Sequence, residues 1–164
     1  MNTDRVQFSQ TCVHGFRVKP GMTTGGVTTP RQPAKRPPVL NPLPPYAALL
    51  GLSTSRAEDG ELLWIMPFSE AVLGRPGFLH GGAIAGLLEF AALGTLYEAL
   101  GEGPTAKPIN VSIDFMRGGG EHDTFAAATL TRLGSRVANV EAHAWQKDRS
   151  KPIAAARMNL IIRR

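Results

Sequence analysis

The sequence predicts an α+β domain in which one long central helix is wrapped by a curved antiparallel sheet of about six strands. Three observations carry that expectation. Residues 80–100 form a long run of small and aliphatic side chains with no proline, and Gly101 stands just beyond it. Four strand-like segments of alternating pattern follow the run, separated by short turn-rich gaps. Ahead of it, two runs joined by Asp59-Gly60 read as a hairpin. Helix and hairpin followed by four antiparallel strands are most simply packed with the helix lying on the sheet.

The chain of 164 residues is one domain by size, with 43% hydrophobic and 19% charged residues, an ordinary globular composition. No stretch approaches 18 uninterrupted apolar residues without a charge, so no membrane partner is expected. A single cysteine, Cys12, excludes an internal disulfide framework and a cysteine-based metal cluster. The net charge of +5 sits at one end. Residues 1–37 carry six bases and one acid, and the remaining residues balance at 12 of each. Nucleic acid is therefore not the expected partner, since the core is neutral.

Residues 1–40 are expected to be a disordered or poorly ordered tail, followed by one domain over 41–164. The tail has scattered apolar residues, a Gly/Thr run over 22–29 and closely spaced prolines, too little to bury against its ordering entropy. It lacks the apolar core and cleavage site of a signal peptide, and a cytoplasmic protein is the expectation. The run Gly15–Thr23 resembles translated intergenic repeat, with Met22 a candidate later start. Pro45–Gly51 reads as a short helix with proline in its first turn and glycine at its end. The hairpin spans Leu52–Glu58 and Glu61–Met66. In the long helix, Gly81, Gly82, Gly86 and Gly94 each cost up to ~1 kcal/mol of helix propensity, so close approach of another backbone is expected there. The strands are expected at 109–116, 124–133, 136–147 and 153–162.

His80 stands where the chain enters the long helix, followed by two glycines. The first turn of a helix presents unpaired N–H groups and a partial positive charge. Glycine there lets a substrate oxygen approach those groups, which specifies an oxyanion hole. Glu89 is the one ionisable side chain between Gly81 and Leu96. A carboxylate among aliphatics should have its pKa raised by desolvation and persists with a partner, such as Arg117, or with a task as base or nucleophile. Nine helical steps separate His80 from Glu89, about 13.5 Å of rise and opposite sides of the helix. Both can serve one carbonyl only if two subunits combine, so the spacing predicts a homodimer or a dimer of dimers with equivalent sites.

The segment Gly77-Phe-Leu-His80-Gly81-Gly82-Ala-Ile-Ala-Gly-Leu-Leu-Glu89 resembles the signature of hot-dog-fold acyl-CoA thioesterases. The phenylacetate-degradation thioesterases, and the 4-hydroxybenzoyl-CoA thioesterase with a glutamate in its helix, are the nearest types. Asn110–Gly118 and Gly134-Ser135-Arg136 also resemble that family's following strands, and the likeness covers roughly residues 45–162. It implies the hot-dog fold, hydrolysis of an acyl-CoA, Glu89 as base or nucleophile, and the Gly81 N–H as donor to the thioester carbonyl. His80 would help to fix the loop or the thioester. It further implies contacts to the coenzyme A portion from Gly82, Arg117, Gly118, Ser135 and Arg136, with Arg132 a further cation. No metal and no cofactor are implied, coenzyme A being part of the substrate. Aryl, phenylacetyl and medium-chain acyl groups all fit, with walls expected from Phe90, Leu93, Tyr97 and the 62–79 region. Two residues depart from the pattern: Gly74 where many relatives have asparagine, and Pro108 where some have serine or threonine. Thr95 or Ser112 would then have to supply the missing hydrogen bonds. A hydro-lyase of the same fold and a non-catalytic acyl-CoA-binding protein are the alternatives. His122 and His143 are expected in a turn and on a strand surface.

Overall fold

The structure, a computed structural model, describes residues 43–163; the expected tail and candidate start at Met22 lie outside them. The chain runs α1 (Pro45–Leu49), β1 (Ser53–Arg56), β2 (Leu62–Met66), a 3-10 turn (Glu70–Val72), β3 (Leu73–Arg75), β4 (Phe78–Leu79), α2 (Gly81–Leu100), β5 (Thr105–Phe115), β6 (Thr124–Leu133), β7 (Val137–Trp145) and β8 (Ala154–Arg163). Six strands form one antiparallel sheet in the order β1-β2-β6-β7-β8-β5. This is the expected hot-dog arrangement, with α2 as the filling. β3 and β4 make a separate small hairpin that the sequence reading did not anticipate.

Sheet and helix bury each other because their patterns match. Ala138, Val140, Ala142 and Ala144 of β7 and Ala154, Ala156, Met158, Leu160 and Ile162 of β8 all point inward and are buried. The inward rows of β7 are mostly alanine, which lets a helix sit close to the strand. Leu87, Leu88, Ala92 and Leu96 of α2 fill the concave side and are fully buried. α2 is also long and apolar enough to cross a membrane by composition, but 56% of its most apolar window is buried inside the domain. Its apolarity is that of a core helix enclosed on most sides.

The helix glycines are explained by side chains rather than by the second backbone that was expected. A Cβ on Gly94 would come within 2.6 Å of Trp64 Nε1, and one on Gly86 within 2.7 Å of the Tyr46 ring. Trp64 of β2 and Tyr46 of α1 therefore lodge against α2 where it has no side chains, and both rings flank Phe90. The 52–66 hairpin turns through Ala57–Gly60, with Gly60 at positive φ (86°). Gly101 ends α2 at φ 72°, and its N–H donates to the Tyr97 carbonyl.

β5 begins at Thr105, earlier than expected, and carries a bulge between Pro108 and Asn110. Pro108 is thus inside an edge strand, opposite Leu160, rather than opening a central one. The bulge breaks the expected alternation. Ile109 is 60% exposed, and Val111 and Phe115, which face the helix side by their pairing with Met158 and Ala154, are exposed as well.

Candidate active site at the tip of the central helix

Three backbone contacts pin the entry to α2. The His80 N–H donates to the Val72 carbonyl (2.8 Å), the Leu79 N–H to the Gly119 carbonyl (2.9 Å), and the Ala83 N–H to the His80 carbonyl (3.0 Å). His80 is the N-cap, with φ −69° and ψ 131°, and its Nδ1 accepts from the Gly82 N–H at 2.9 Å. That bond uses Nδ1 as the acceptor, on an exposed side chain. Gly82 is thereby occupied as a cap partner. Among the described residues, the Gly81 N–H is the first-turn donor left without an acceptor. It lies at the positive end of a 20-residue helix.

Gly74 shows why His80 can adopt this pose. A Cβ at position 74 would lie 2.9 Å from the His80 Cα and 3.1–3.2 Å from its side chain. A side chain at position 74 could not be accommodated without displacing His80.

A cleft of about 380 Å³ opens at the helix tip, lined by Gly81, Ile84, Phe78, Phe115, Met116 and the 117–119 backbone, with Arg75 and Arg117 as its charged residues. Phe115 lies over Gly81 so closely that a Cβ there would be 3.3 Å from the ring. Arg117 does not pair with Glu89; its Nη1–H donates to the Pro152 carbonyl at 2.7 Å. Arg75 was not singled out from the sequence. Only the β3–β4 hairpin brings it to the cleft.

Glu89 sits in the middle of α2, half-buried, with no ion pair or hydrogen bond among the described residues. It belongs to a stripe, Gly82, Ala85, Glu89 and Leu93, along which the middle of the helix is open. Within one chain Glu89 and the helix tip stay apart by the ~13.5 Å that nine helical steps impose.

Several expected site residues fall elsewhere. Ser135 and Arg136 lie in the β6–β7 turn, and Arg132 near the end of β6, so the length of β6, ~33 Å for ten residues, separates them from the helix tip. Phe90 is a core residue stacked on Trp64 at 5.6 Å, not a pocket wall. The Tyr97 hydroxyl is bound to the backbone of Ala106 as both donor and acceptor. Thr95 donates to the Ala128 carbonyl at 3.4 Å, and Ser112 pairs with Arg157 on the sheet face away from α2. Ser112 is thus on the wrong side to assist Glu89 within its own chain. His122 lies in the 118–123 loop and His143 on the outer sheet surface, as expected.

A larger depression, about 510 Å³, lies beyond that loop, with Phe68, His122, Asp123 and Gln146 among its lining. Asp123 and Gln146 in this lining are engaged in internal hydrogen bonds. The Phe68 N–H donates to Asp123 Oδ1, and Gln146 Nε2 donates to the carbonyls of Gly120 and His122. It reads as a structural knot. Among the described residues no group of three His, Cys, Asp or Glu side chains is placed to hold a metal ion.

Residues 76–153, which span the helix tip, α2 and strands β5 to β7, match the family model of the thioesterase superfamily. The chain belongs to that superfamily, a class of thioester hydrolases with the hot-dog fold. Among solved structures, a protein from Chromobacterium violaceum is 38% identical, over 71% of this chain and 82% of that one, with a TM-score of 0.61. A Bacillus halodurans protein crystallised with CoA shares 21% identity over 76% and 82% of the two chains, with a TM-score of 0.71. A phenylacetic acid degradation-related protein from Ralstonia eutropha shares 24% over 73% and 91%, with a TM-score of 0.65. No curated protein matches the chain.

Proposed function

We propose that the protein hydrolyses an acyl-CoA thioester to the free acid and coenzyme A, at sites shared between two protomers. The observation that carries this reading is the unpaired Gly81 N–H at the mouth of a cleft, held there by the His80 cap. A thioester carbonyl placed on that N–H is polarised, and the negative charge that develops on its oxygen meets the positive end of α2. Glu89 of the second protomer removes a proton from a water that attacks the carbonyl carbon, or attacks that carbon itself to give an acyl–glutamyl anhydride that water then hydrolyses to the free acid. The carbon–sulfur bond then breaks and the thiolate of coenzyme A departs. A thiolate is a good leaving group, so the reaction needs no cofactor beyond the substrate itself.

Two features of one chain support the dimer. Glu89 and the helix tip are too far apart to share a carbonyl, and β5 is an 11-residue edge strand with Ile109, Val111 and Phe115 exposed, followed by the exposed Met116. A long apolar edge is a pairing template unless covered. Antiparallel pairing of two β5 strands would set the far end of one protomer, with Ser135 and Arg136, beside the helix-tip end of the other. That gives these two residues, together with Gly82, Arg117 and Gly118, access to the coenzyme A arm. The CoA found with the Bacillus halodurans protein supports the fitness of this fold for that ligand.

The test is release of free thiol from a panel of acyl-CoAs spanning aryl, phenylacetyl and medium-chain groups, for the unmutated protein and for Glu89→Gln. Turnover that Glu89→Gln lowers by about 10²-fold or more is the expected result. Absence of thiol release from every member by the unmutated protein overturns the hydrolase reading.

A further inference from the structure

The turn Arg75-Pro76-Gly77-Phe78 has Gly77 at φ 80°, the backbone a type II turn requires at its third position. It returns the chain so that Arg75 and Phe78 pair across the hairpin. The Arg75 guanidinium lies over the Phe78 ring, 4.1 Å from its centroid. On the Gly118 side the ring is backed by bare backbone, where a Cβ would come within 2.6 Å of the ring. Phe78 is thus clamped between Gly118 and Arg75, and it holds the arginine at the cleft wall. Among the described residues, the ion pairs involve Arg56, Arg149, Lys151 and Arg157, and neither Arg75 nor Arg117 has an acidic partner. No carboxylate lines the cleft.

We infer that Arg75, positioned by Phe78 and Gly118, binds a second anionic group of the thioester and so sets substrate specificity. The inference rests on the hydrolase reading and names the substrate chemistry of that same site. A guanidinium presents its donors as a planar fork that fits a carboxylate or a phosphate. Two parts of a thioester could bring that oxyanion: a second carboxylate on the acyl chain, or a phosphate of the thiol. A cleft of about 380 Å³ is roughly 9 Å across, so the group meeting Arg75 lies close to the reacting carbonyl. An extended pantetheine arm, about four residue-lengths, reaches ~13 Å and carries its phosphates beyond the cleft. The size therefore favours a dicarboxylic acyl group.

Three probes separate the sources: glutaryl-CoA, its neutral counterpart valeryl-CoA, and valeryl-pantetheine, which has no phosphate. The readout is the ratio of kcat/KM between probes for the unmutated protein, Arg75→Gln, Arg75→Lys and Gly118→Ala. A fall of about 10- to 100-fold in the glutaryl-to-valeryl ratio in Arg75→Gln, mainly through KM, assigns an acyl carboxylate. A fall of that size in the valeryl-CoA-to-valeryl-pantetheine ratio assigns a phosphate. Either result supports the inference, and Gly118→Ala should move the same ratio because it displaces Phe78 while leaving Arg75 in the sequence. Arg75→Lys should restore only part of it, since a lysine keeps the charge and loses the fork. Ratios equal to those of the unmutated protein overturn it, whatever happens to absolute rates. If no thioester is hydrolysed at all, the hydrolase reading fails separately. Calorimetric binding of glutarate, coenzyme A and pantetheine then decides: a preference for either anion that Arg75→Gln abolishes upholds the inference, and no such preference refutes it.

Discussion

Gly81→Pro removes the proposed oxyanion donor and little else. Gly81 is the first residue of α2, where proline is tolerated because that N–H has no helical partner and the ring fixes a helical φ. His80 already has the extended conformation that a residue before proline prefers, with φ −69° and ψ 131°. The added Cβ would stand 3.3 Å from the Phe115 ring, and Phe115, at 54% exposed, has room to give. Gly81→Ala makes the same contact but keeps the N–H, so the difference between the two variants isolates the hydrogen bond. Loss of one oxyanion donor costs ~2.7–4 kcal/mol, or about 10²- to 10³-fold in kcat. The assay is thiol release at saturating substrate, with thermal unfolding to confirm that both variants fold. A proline variant within a few-fold of the alanine variant refutes the role given to Gly81. The same variant tests the shared site. Co-assembled with Glu89→Gln, half of the dimers are mixed and each holds one intact site, so about a quarter of full activity returns. A mixture no more active than its parents would refute the cross-subunit arrangement.

Three further outcomes are expected. His80→Ala should lower stability by about 1 kcal/mol through loss of the cap on the Gly82 N–H, and His80→Asn, itself a good cap, should recover most of it in urea unfolding. Val111→Arg, on the exposed edge strand, should yield monomers by analytical ultracentrifugation and abolish thiol release together; an active monomer would disprove the proposed dimer. Gly94→Ala should destabilise by about 1–3 kcal/mol despite the better helix propensity of alanine, because its Cβ would strike Trp64, and a neutral or stabilising result would show that Trp64 can move.

The core architecture was legible because it rests on local pattern. The apolar run from Ala83 to Leu96, the Gly101 stop, the Asp59-Gly60 turn and the period-two strands each state their conformation within a few residues. β5 was less so. Its start at Thr105 and the bulge at Ile109 depend on the partner strand β8, and an edge strand can keep apolar residues exposed without breaking its own pattern. At the site, the helix tip and the isolation of Glu89 could be read from spacing. The side-chain walls could not: Phe90 and Tyr97 looked available until Trp64 and Ala106 were seen to occupy them.

The sequence by itself determined the helix, the strands, the glycine-lined tip and the distance between that tip and Glu89, since all of these follow from dihedral preference and residue spacing. Only the tertiary structure decided that Gly74 makes room for His80, that the Gly82 N–H is capped while the Gly81 N–H is left open, and that Arg75 reaches the cleft while Ser135 and Arg136 lie at the opposite end of the sheet. Those are contacts between segments far apart in the chain, and close packing, which admits or refuses a single carbon atom, is what selects among them.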